Sequence, residues 1–447
     1  MPLALFLAMH ALFLLPSEDH EPPTAGPRIE AALETIDADD AYSYIAYLAS
    51  NALKGRNAGM KGNDMAADWI AEFFGEMGLS AGGSEGTYFQ PFDFKTSGRK
   101  KNTTRNVIAL YRGCDQTLMN EAIVIGAHFD HVGSHGEKTN PARLGRPTRT
   151  DGIWNGADDN ASGTSAVMEI AQAFALARVR VKRTIVFVCF SAEEHGLHGS
   201  THYVKHPVIP LEKTSAMINL DMVGRNPRRP VMVFGLESDV DRVFQKSLER
   251  IGRRLGTLTF RQGQGSYGGS DHWPFMKNGI PSVFFFTGLH QDYHQIGDEV
   301  EKISSHRVRD IARAAFLLAV ELANRPEMLV FDGEFGAQAQ SLTMRRRLGI
   351  DVDQEFLFHG AEGMGLADEQ GAVRVSGVYA GSVADDAGLK SNDLILSIGS
   401  TLIRREAPLD GLRQAIRTAP AGIEIPVVVL RRNALVTLHA QWAEVKK

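Results

Sequence analysis

The chain has 447 residues, 43% hydrophobic and 23% charged, which supplies apolar material for a full core and length for two or three domains. Its net charge of −5 and its short, scattered basic clusters (99–101, 228–229, 345–347) give no case for nucleic-acid binding. Two cysteines are too few for a disulfide framework, and Cys189, inside an apolar run, reads as a buried thiol.

Residues 3–15 form an apolar run broken only by His10 and followed by Pro16 and an acidic, proline-rich stretch. The run is too short to span a bilayer and has the length of a signal-peptide core, so export is expected, to the periplasm or beyond the cell. A basic stretch ahead of the run and a small-x-small cleavage site after it are both missing. No other segment is apolar enough to cross a membrane, so no stable membrane span is expected. Residues 1–28 therefore read as an apolar segment and a linker carrying Pro22, Pro23 and Pro27.

Apolar residues then recur at helical spacing over 29–53 and 63–77, the second with Asn63 or Asp64 as cap and Gly78 as stop. Short apolar, β-rich runs follow at 104–111, 122–127, 184–190, 216–220, 231–235 and 282–286. Helical patterns intervene at 164–177, 198–205, 239–254 and 304–324. Buried strands alternating with helices predict an α/β fold, a mostly parallel central sheet with helices on both faces. This domain spans 29–326; residues 327–347 read as a linker. From 348 to 447 short strands at 373–378, 394–398, 425–430 and 436–442, separated by Gly, Asn and Asp turns, predict a second, mainly β domain.

In such sheets ligands sit beyond the carboxyl ends of the strands. His128, Glu193, Glu194 and Asp221 all fall there. Asp159 lies in a polar, glycine-bounded loop ahead of the helix at 164–177, and one carboxylate with two oxygens can bridge two cations. Asp158 is the alternative bridge. The ordered candidates for a two-metal hydrolase are His128, Asp159, Glu193, Glu194, Asp221 and His294. Adjacent Glu193 and Glu194 leave a strand pointing different ways, so one can ligate while the other faces water on the metal. Burying both without a cation would be costly. The spacing in His-Phe-Asp-His lets Asp130 accept the distal N–H of His128, with His131 the rival ligand. Tyr293, beside His294, can donate to a developing oxyanion. His195, His198, His202 and His206 read as surface residues at a helix start. The glycine-rich loop at 263–269 lacks the context of a phosphate cradle.

Six blocks in order carry a family resemblance: 126–133 (GAHFDHVG), 156–163 (GADDNASG), 190–200 (FSAEEHGLHGS), 219–224 (NLDMVG), 270–275 (SDHWPF) and Tyr293–His294 with Asp298. The chain resembles the double-zinc, co-catalytic aminopeptidases of the bacterial leucyl and Streptomyces type over roughly 36–322, including the entry segments Leu53-Lys-Gly-Arg56 and Ala66–Ala67–Asp68. The resemblance implies two zinc ions bridged by Asp159, with His128 and Asp221 completing one site and Glu194 and His294 the other. It implies Glu193 as general base on the bridging water, Tyr293 as oxyanion donor, and a cis peptide after Asp159. It also implies peptide substrates trimmed from the amino end. The family's frequent inserted protease-associated domain has no room between residues 90 and 126.

The C-terminal part resembles a PDZ domain, through 371–378, Gly381–Ser382–Val383, Ala387–Gly388–Leu389 and Asn392–Asp393–Leu394–Ile395. That resemblance implies capture of protein C-termini by strand addition, with loop N–H groups holding the carboxylate. Leu348, Gly349 and Ile350 are the expected carboxylate loop and 363–366 the rival. Three other functions stay open on sequence: a carboxypeptidase, served by the arginine-bearing loop at 143–149; a glutaminyl cyclase; and a peptide-binding adaptor with an inert peptidase fold.

Overall fold

The structure, a computed structural model, describes residues 25–95, 101–137, 142–144, 146–234, 241–263, 269–329, 348, 350–352, 370–378, 382–406, 408–420, 422–432 and 434–442. The apolar run at 3–15, Tyr267, Gly349 and the rival loop at 363–366 lie outside them. Among the described residues no helix is long and apolar enough to cross a membrane.

The first domain opens with three helices, α1 (Ala25–Thr35), α2 (Ala38–Leu48) and α3 (Lys61–Glu76). The pattern at 29–53 thus breaks in two, because Asp37 caps α2 through its carboxylate, accepting the N–H groups of Asp39 and Asp40. Strands β1 (Ser80–Ala81), β2 (Phe89–Lys95) and β3 (Lys101–Tyr111) follow, then β4 (Ala122–His128), with only residues 112–121 between β3 and β4 and hence no inserted domain there. The remaining order is α4 (Gly163–Leu176), β5 (Thr184–Phe190), α5 (His198–Lys205), β6 (Thr214–Leu220), β7 (Val231–Phe234), α6 (Asp241–Leu255), β8 (Phe260–Gln262), α7 (His272–Lys277), β9 (Ser282–Phe286) and α8 (Ser305–Asn324).

Nine strands make one mixed sheet in the order β1-β3-β5-β4-β6-β9-β7-β8, with β2 paired to β3. Its centre, β5-β4-β6-β9, is parallel throughout; the antiparallel pairs lie outside it. Alternate side chains of these strands feed two cores. Ile123, Ile125, Ile185, Phe187 and Cys189 join the large core under α1 to α4, α6 and α8. Ala122, Val124, Val186, Val188 and Phe190 join a smaller core with Tyr203 of α5 and Phe275 of α7. Every residue of β4, β5 and β6 is buried, which is why the strands read as unbroken apolar runs rather than alternating ones. Each buried Val, Ile or Phe contributes about 1.5–3 kcal/mol.

The second domain is a separate six-stranded antiparallel sheet, β10 (Ile350–Val352), β11 (Val373–Val378), β12 (Leu394–Ile398), β13 (Thr401–Leu402), β14 (Glu424–Arg431) and β15 (Ala434–Gln441). It packs on a helix over Pro408–Thr418 that the strand-centred sequence reading missed. Leu412, Ala415 and Ile416 at helical spacing are its buried face.

Candidate metal centre

All four central parallel strands end at the same edge, and each delivers chemistry there. β4 ends in His128; Glu193 and Glu194 lie just beyond β5; Asp221 follows β6; His294 lies eight residues after β9. The fifth contribution comes from the turn 157–162 that leads into α4. Gly156 enters this turn at φ +59, a left-handed conformation in which a side chain would sit 2.2 Å from the Asp159 carbonyl. At its exit, a Cβ on Gly163 would lie 2.2 Å from the Leu220 carbonyl, so the start of α4 can rest directly on the end of β6. The peptide between Asp159 and Asn160 is cis.

Asp159 points one oxygen at each of two clusters. Its Oδ1 is 3.4 Å from His128 Nε2, which is also 3.4 Å from Asp221 Oδ1. Its Oδ2 is 2.9 Å from His294 Nε2, which is 3.2 Å from Glu194 Oε2. Asp158 is turned away: its Oδ1 accepts the Gly224 N–H at 2.7 Å and its Oδ2 faces His290 Nε2 at 3.2 Å. Two groups of side chains can each close on one ion, His128/Asp159/Asp221 and His131/Asp159/Glu194, both buried. His131 was the rival ligand in sequence. Its Nδ1 hydrogen-bonds Glu194 Oε1 at 2.8 Å and lies 3.9 Å from Asp159. His294 is the better placed: its Nδ1–H donates to the Ala142 carbonyl at 2.7 Å, which fixes the ring so that Nε2 faces both carboxylates.

Asp130 does not orient His128 in the expected way. The nearer acceptor for His128 Nδ1–H is the Asp130 backbone carbonyl at 3.1 Å, the carboxylate being 3.8 Å away. The carboxyl instead accepts the N–H groups of Glu193 and Glu194 at 3.1 and 3.4 Å, because the tight turn aims two amides at it where the imidazole offers one edge. Asp130 thus sets the turn that carries the Glu-Glu pair. Tyr293 stacks on His294 with ring centroids 3.8 Å apart.

Supporting residues went without a role in sequence. Ser270 Oγ donates to Asp221 Oδ2 at 2.7 Å, and Asp298 Oδ2 accepts the N–H groups of both Asp158 and Asp159 at 3.0 Å. Both lay inside the recognised blocks, but nothing in spacing tells a side chain that touches a ligand from one that merely packs. The histidines at 195–206 are half-packed rather than free on the surface: His195 Nε2 meets Asn57 Oδ1 at 2.9 Å, and His202 stacks on Phe92.

The donor set fits cations. Asp159 Oδ2, Asp221 Oδ1 and His131 Nε2 are buried and have no hydrogen-bond partner among the described residues. Crowded acids also hold protons here. Burial pushes Asp130 up to about 8 and Asp271 up to about 7, against 3.8 for an ordinary aspartate. Burial, with help from Glu194, Asp271 and Asp221, raises Glu193 despite His128 opposing it. Burial would lower His294, but Glu194 and Asp159 outweigh it and raise it to about 11.

Carboxyls with raised native pKa favour folding below the native value and lose that advantage as pH rises from about 4 to 8. A histidine raised from 6.5 loses its contribution in the same direction above 6.5. Glu194, held low by His294 and His131 against burial, completes its contribution below that window. The metal-free protein is therefore expected to melt several degrees lower at about pH 8 than at about pH 5. Saturating zinc, which displaces the proton of the ligating His294 but not those of Asp130 and Asp271, is expected to shrink the difference. Calorimetry of the two forms checks it; a metal-free protein that melts higher at pH 8 contradicts it.

In the second domain, Leu348 and Ile350 have side chains in the core, not in a groove. The Leu348 carbonyl accepts the Ala384 N–H at 2.8 Å. Among the described residues β10 pairs with β11 alone.

Residues 106–319 match the profile of peptidase family M28, and residues 374–431 match that of a PDZ domain. Aminopeptidase YwaD of Bacillus subtilis is 35% identical over 189 residues, covering 39% of this chain and 40% of that protein. The chain thus spans about two fifths of that relative's length. Among solved structures, the LapA aminopeptidase of Legionella pneumophila superposes with a TM-score of 0.51 at 25% identity, covering 70% of this chain and 78% of that one. The glutaminyl cyclase of Porphyromonas gingivalis superposes with a TM-score of 0.53 at 21% identity, covering 63% and 97%, which is a likeness of fold alone.

Proposed function

We propose, from the premise that the chain carries a peptidase family M28 domain followed by a PDZ domain, that it is a zinc-dependent aminopeptidase. The observation that carries this reading is the two-sided Asp159, whose oxygens face His128 and Asp221 on one side and Glu194 and His294 on the other. In it, Asp159 would be shared between two zinc ions, His128 and Asp221 would hold one, and Glu194 and His294 the other, with His131 orienting Glu194. Zinc bound there would act as a Lewis acid toward a peptide carbonyl and make water a nucleophile at neutral pH.

The chain's own residues do the rest. Glu193, its basicity raised by burial, takes the proton of the attacking water and returns it to the departing amine. The Tyr293 phenol, kept neutral by burial and by four facing carboxylates, donates to the carbonyl oxygen as charge develops there. The carboxylate-rich wall accepts the substrate's free amino group. In the PDZ domain, β10, the end strand of the sheet among the described residues, supports strand addition by a peptide or protein C-terminus, with backbone groups near 348–350 as the carboxylate contact.

A glutaminyl cyclase is the second reading, because its fold superposes. Two ligand groups sharing Asp159 favour two ions and hydrolysis. The test titrates zinc into metal-free protein with an aminoacyl anilide and an N-terminal glutaminyl peptide in parallel. Hydrolysis that rises to two equivalents supports the proposal. Pyroglutamate formation without hydrolysis, or no dependence on metal, overturns it.

A further inference from the structure

Arg56 lies outside the family-matched segment and is fully buried. Taking an ion of this kind out of water costs several kcal/mol, so a buried arginine kept only to fill space is a poor choice against methionine or leucine. Its guanidinium bonds no carboxylate among the described residues. It donates instead to four backbone carbonyls: Nε to Phe129 at 2.7 Å, Nη1 to Asn155 at 2.7 Å and to Leu48, and Nη2 to Gly156 at 3.0 Å.

Those carbonyls are not scattered. Phe129 stands between His128 and Asp130. Asn155 and Gly156 open the turn that presents Asp159. Leu48 ends α2, so the third anchor is the N-terminal helical layer. The same short segment also pairs through its backbone: Arg56 O accepts the His131 N–H at 3.3 Å and Gly55 O accepts the Gly133 N–H at 3.0 Å. A Cβ on Gly55 would lie 2.4 Å from the Trp154 carbonyl and 2.5 Å from the Gly133 carbonyl, so the two loops close on it from both sides. One rigid fork therefore fixes the loop after β4 against the loop before α4. Hydrogen bonds from a charged donor are stronger than neutral ones, and four of them offset the desolvation.

Charge adds to geometry. Burial lowers the guanidinium to about 10, still protonated at neutral pH, and the nearby Asp130, Asp159, Asp298 and Glu194 favour that cation. It is a permanent positive charge set behind an acidic site, in a medium where its field is weakly screened.

We propose that Arg56 is a positioning residue of the metal centre, holding the two ligand-bearing loops in register before any ion binds. The inference rests on the two-zinc reading of the site. It differs from a packing role because it places the consequence in metal affinity rather than in stability alone.

The experiment compares full-length wild type, Arg56→Met and Arg56→Lys. Methionine keeps length without charge or donors; lysine keeps charge without the fork. Zinc affinity is read by competition with a chromophoric chelator, folding by far-UV circular dichroism and melting. Arg56→Met is expected to fold and to bind zinc about 10–100-fold more weakly, as when an outer support of a ligand is removed. At saturating zinc, KM should be unchanged and kcat largely restored, with Arg56→Lys intermediate. A lower melting temperature with unaltered zinc affinity overturns the proposal.

If Arg56→Met does not fold, hydrogen exchange of metal-free wild type decides. Protected amides at His131, Gly133 and Ala157 support loops ordered ahead of the metal; free exchange there overturns it. A wild type that binds no zinc at all would fail the proposed function, and the exchange result would still judge Arg56.

Discussion

Replacing Glu193 with glutamine is expected to lower kcat by about 10²–10⁴-fold while zinc content stays at the wild-type level. The side chain keeps its volume, and its backbone N–H keeps the bond to Asp130 Oδ1 at 3.1 Å, so the turn that aims Glu194 is undisturbed. What disappears is a basic oxygen in a site where burial and neighbouring acids make the carboxylate hold a proton more strongly than a free glutamate does. Metal analysis beside steady-state kinetics checks it. Loss of zinc from Glu193→Gln would make Glu193 a ligand and move the base elsewhere; full activity would remove it from the mechanism.

Asp159→Ala is expected to release both ions and to cost turnover on the order of 10⁴-fold or more, about 5.4 kcal/mol of barrier. No neighbour can replace it. Asp158 is committed to the Gly224 N–H and to Ser162 Oγ, at 2.7 and 3.2 Å, and lies on the far side of the turn. Asp158→Asn keeps an acceptor for that N–H and is expected to retain both ions. The pair is informative together. If Asp159→Ala keeps one ion with normal affinity, the bridge is wrong and the two clusters are independent sites.

Much of this centre was legible because it sits where chemistry and topology coincide. The runs that end at His128, Phe190 and Leu220 are apolar on both faces, so their assignment as buried parallel strands needed only composition. Polar residues just past them then stand out as the ones that stop being buried for packing reasons. Asp159 was singled out by its glycine-bounded loop, and the choice over Asp158 came only from the family resemblance. In the structure Asp159 faces the imidazoles of His128 and His294, while Asp158 meets the Gly224 N–H and His290.

Other features left no local mark. One edge of the sheet is antiparallel, where β2 pairs with β3 and alternates buried with exposed residues, and the sequence reading passed over 89–95 altogether. Asp130 reads as a partner of His128 from spacing, yet its carboxylate is spent on two amides more than sixty residues away. Leu348 and Ile350 place their side chains in the core, so the carboxylate role that the resemblance implies for this segment falls to backbone groups alone, which leave no mark in a sequence pattern. Arg56 is the sharpest case. The sequence placed it in a loop and in a segment that shares the family resemblance, with no role, and only the fold reveals four carbonyls converging on it.

The measurement that tests the central claim most directly is mass spectrometry of matched free and N-acetylated peptides incubated with zinc-loaded protein. The account predicts stepwise loss of residues from the amino end of the free peptides alone, and none after chelation. Trimming from the carboxyl end, cleavage of acetylated peptides, or cyclisation without trimming would contradict it.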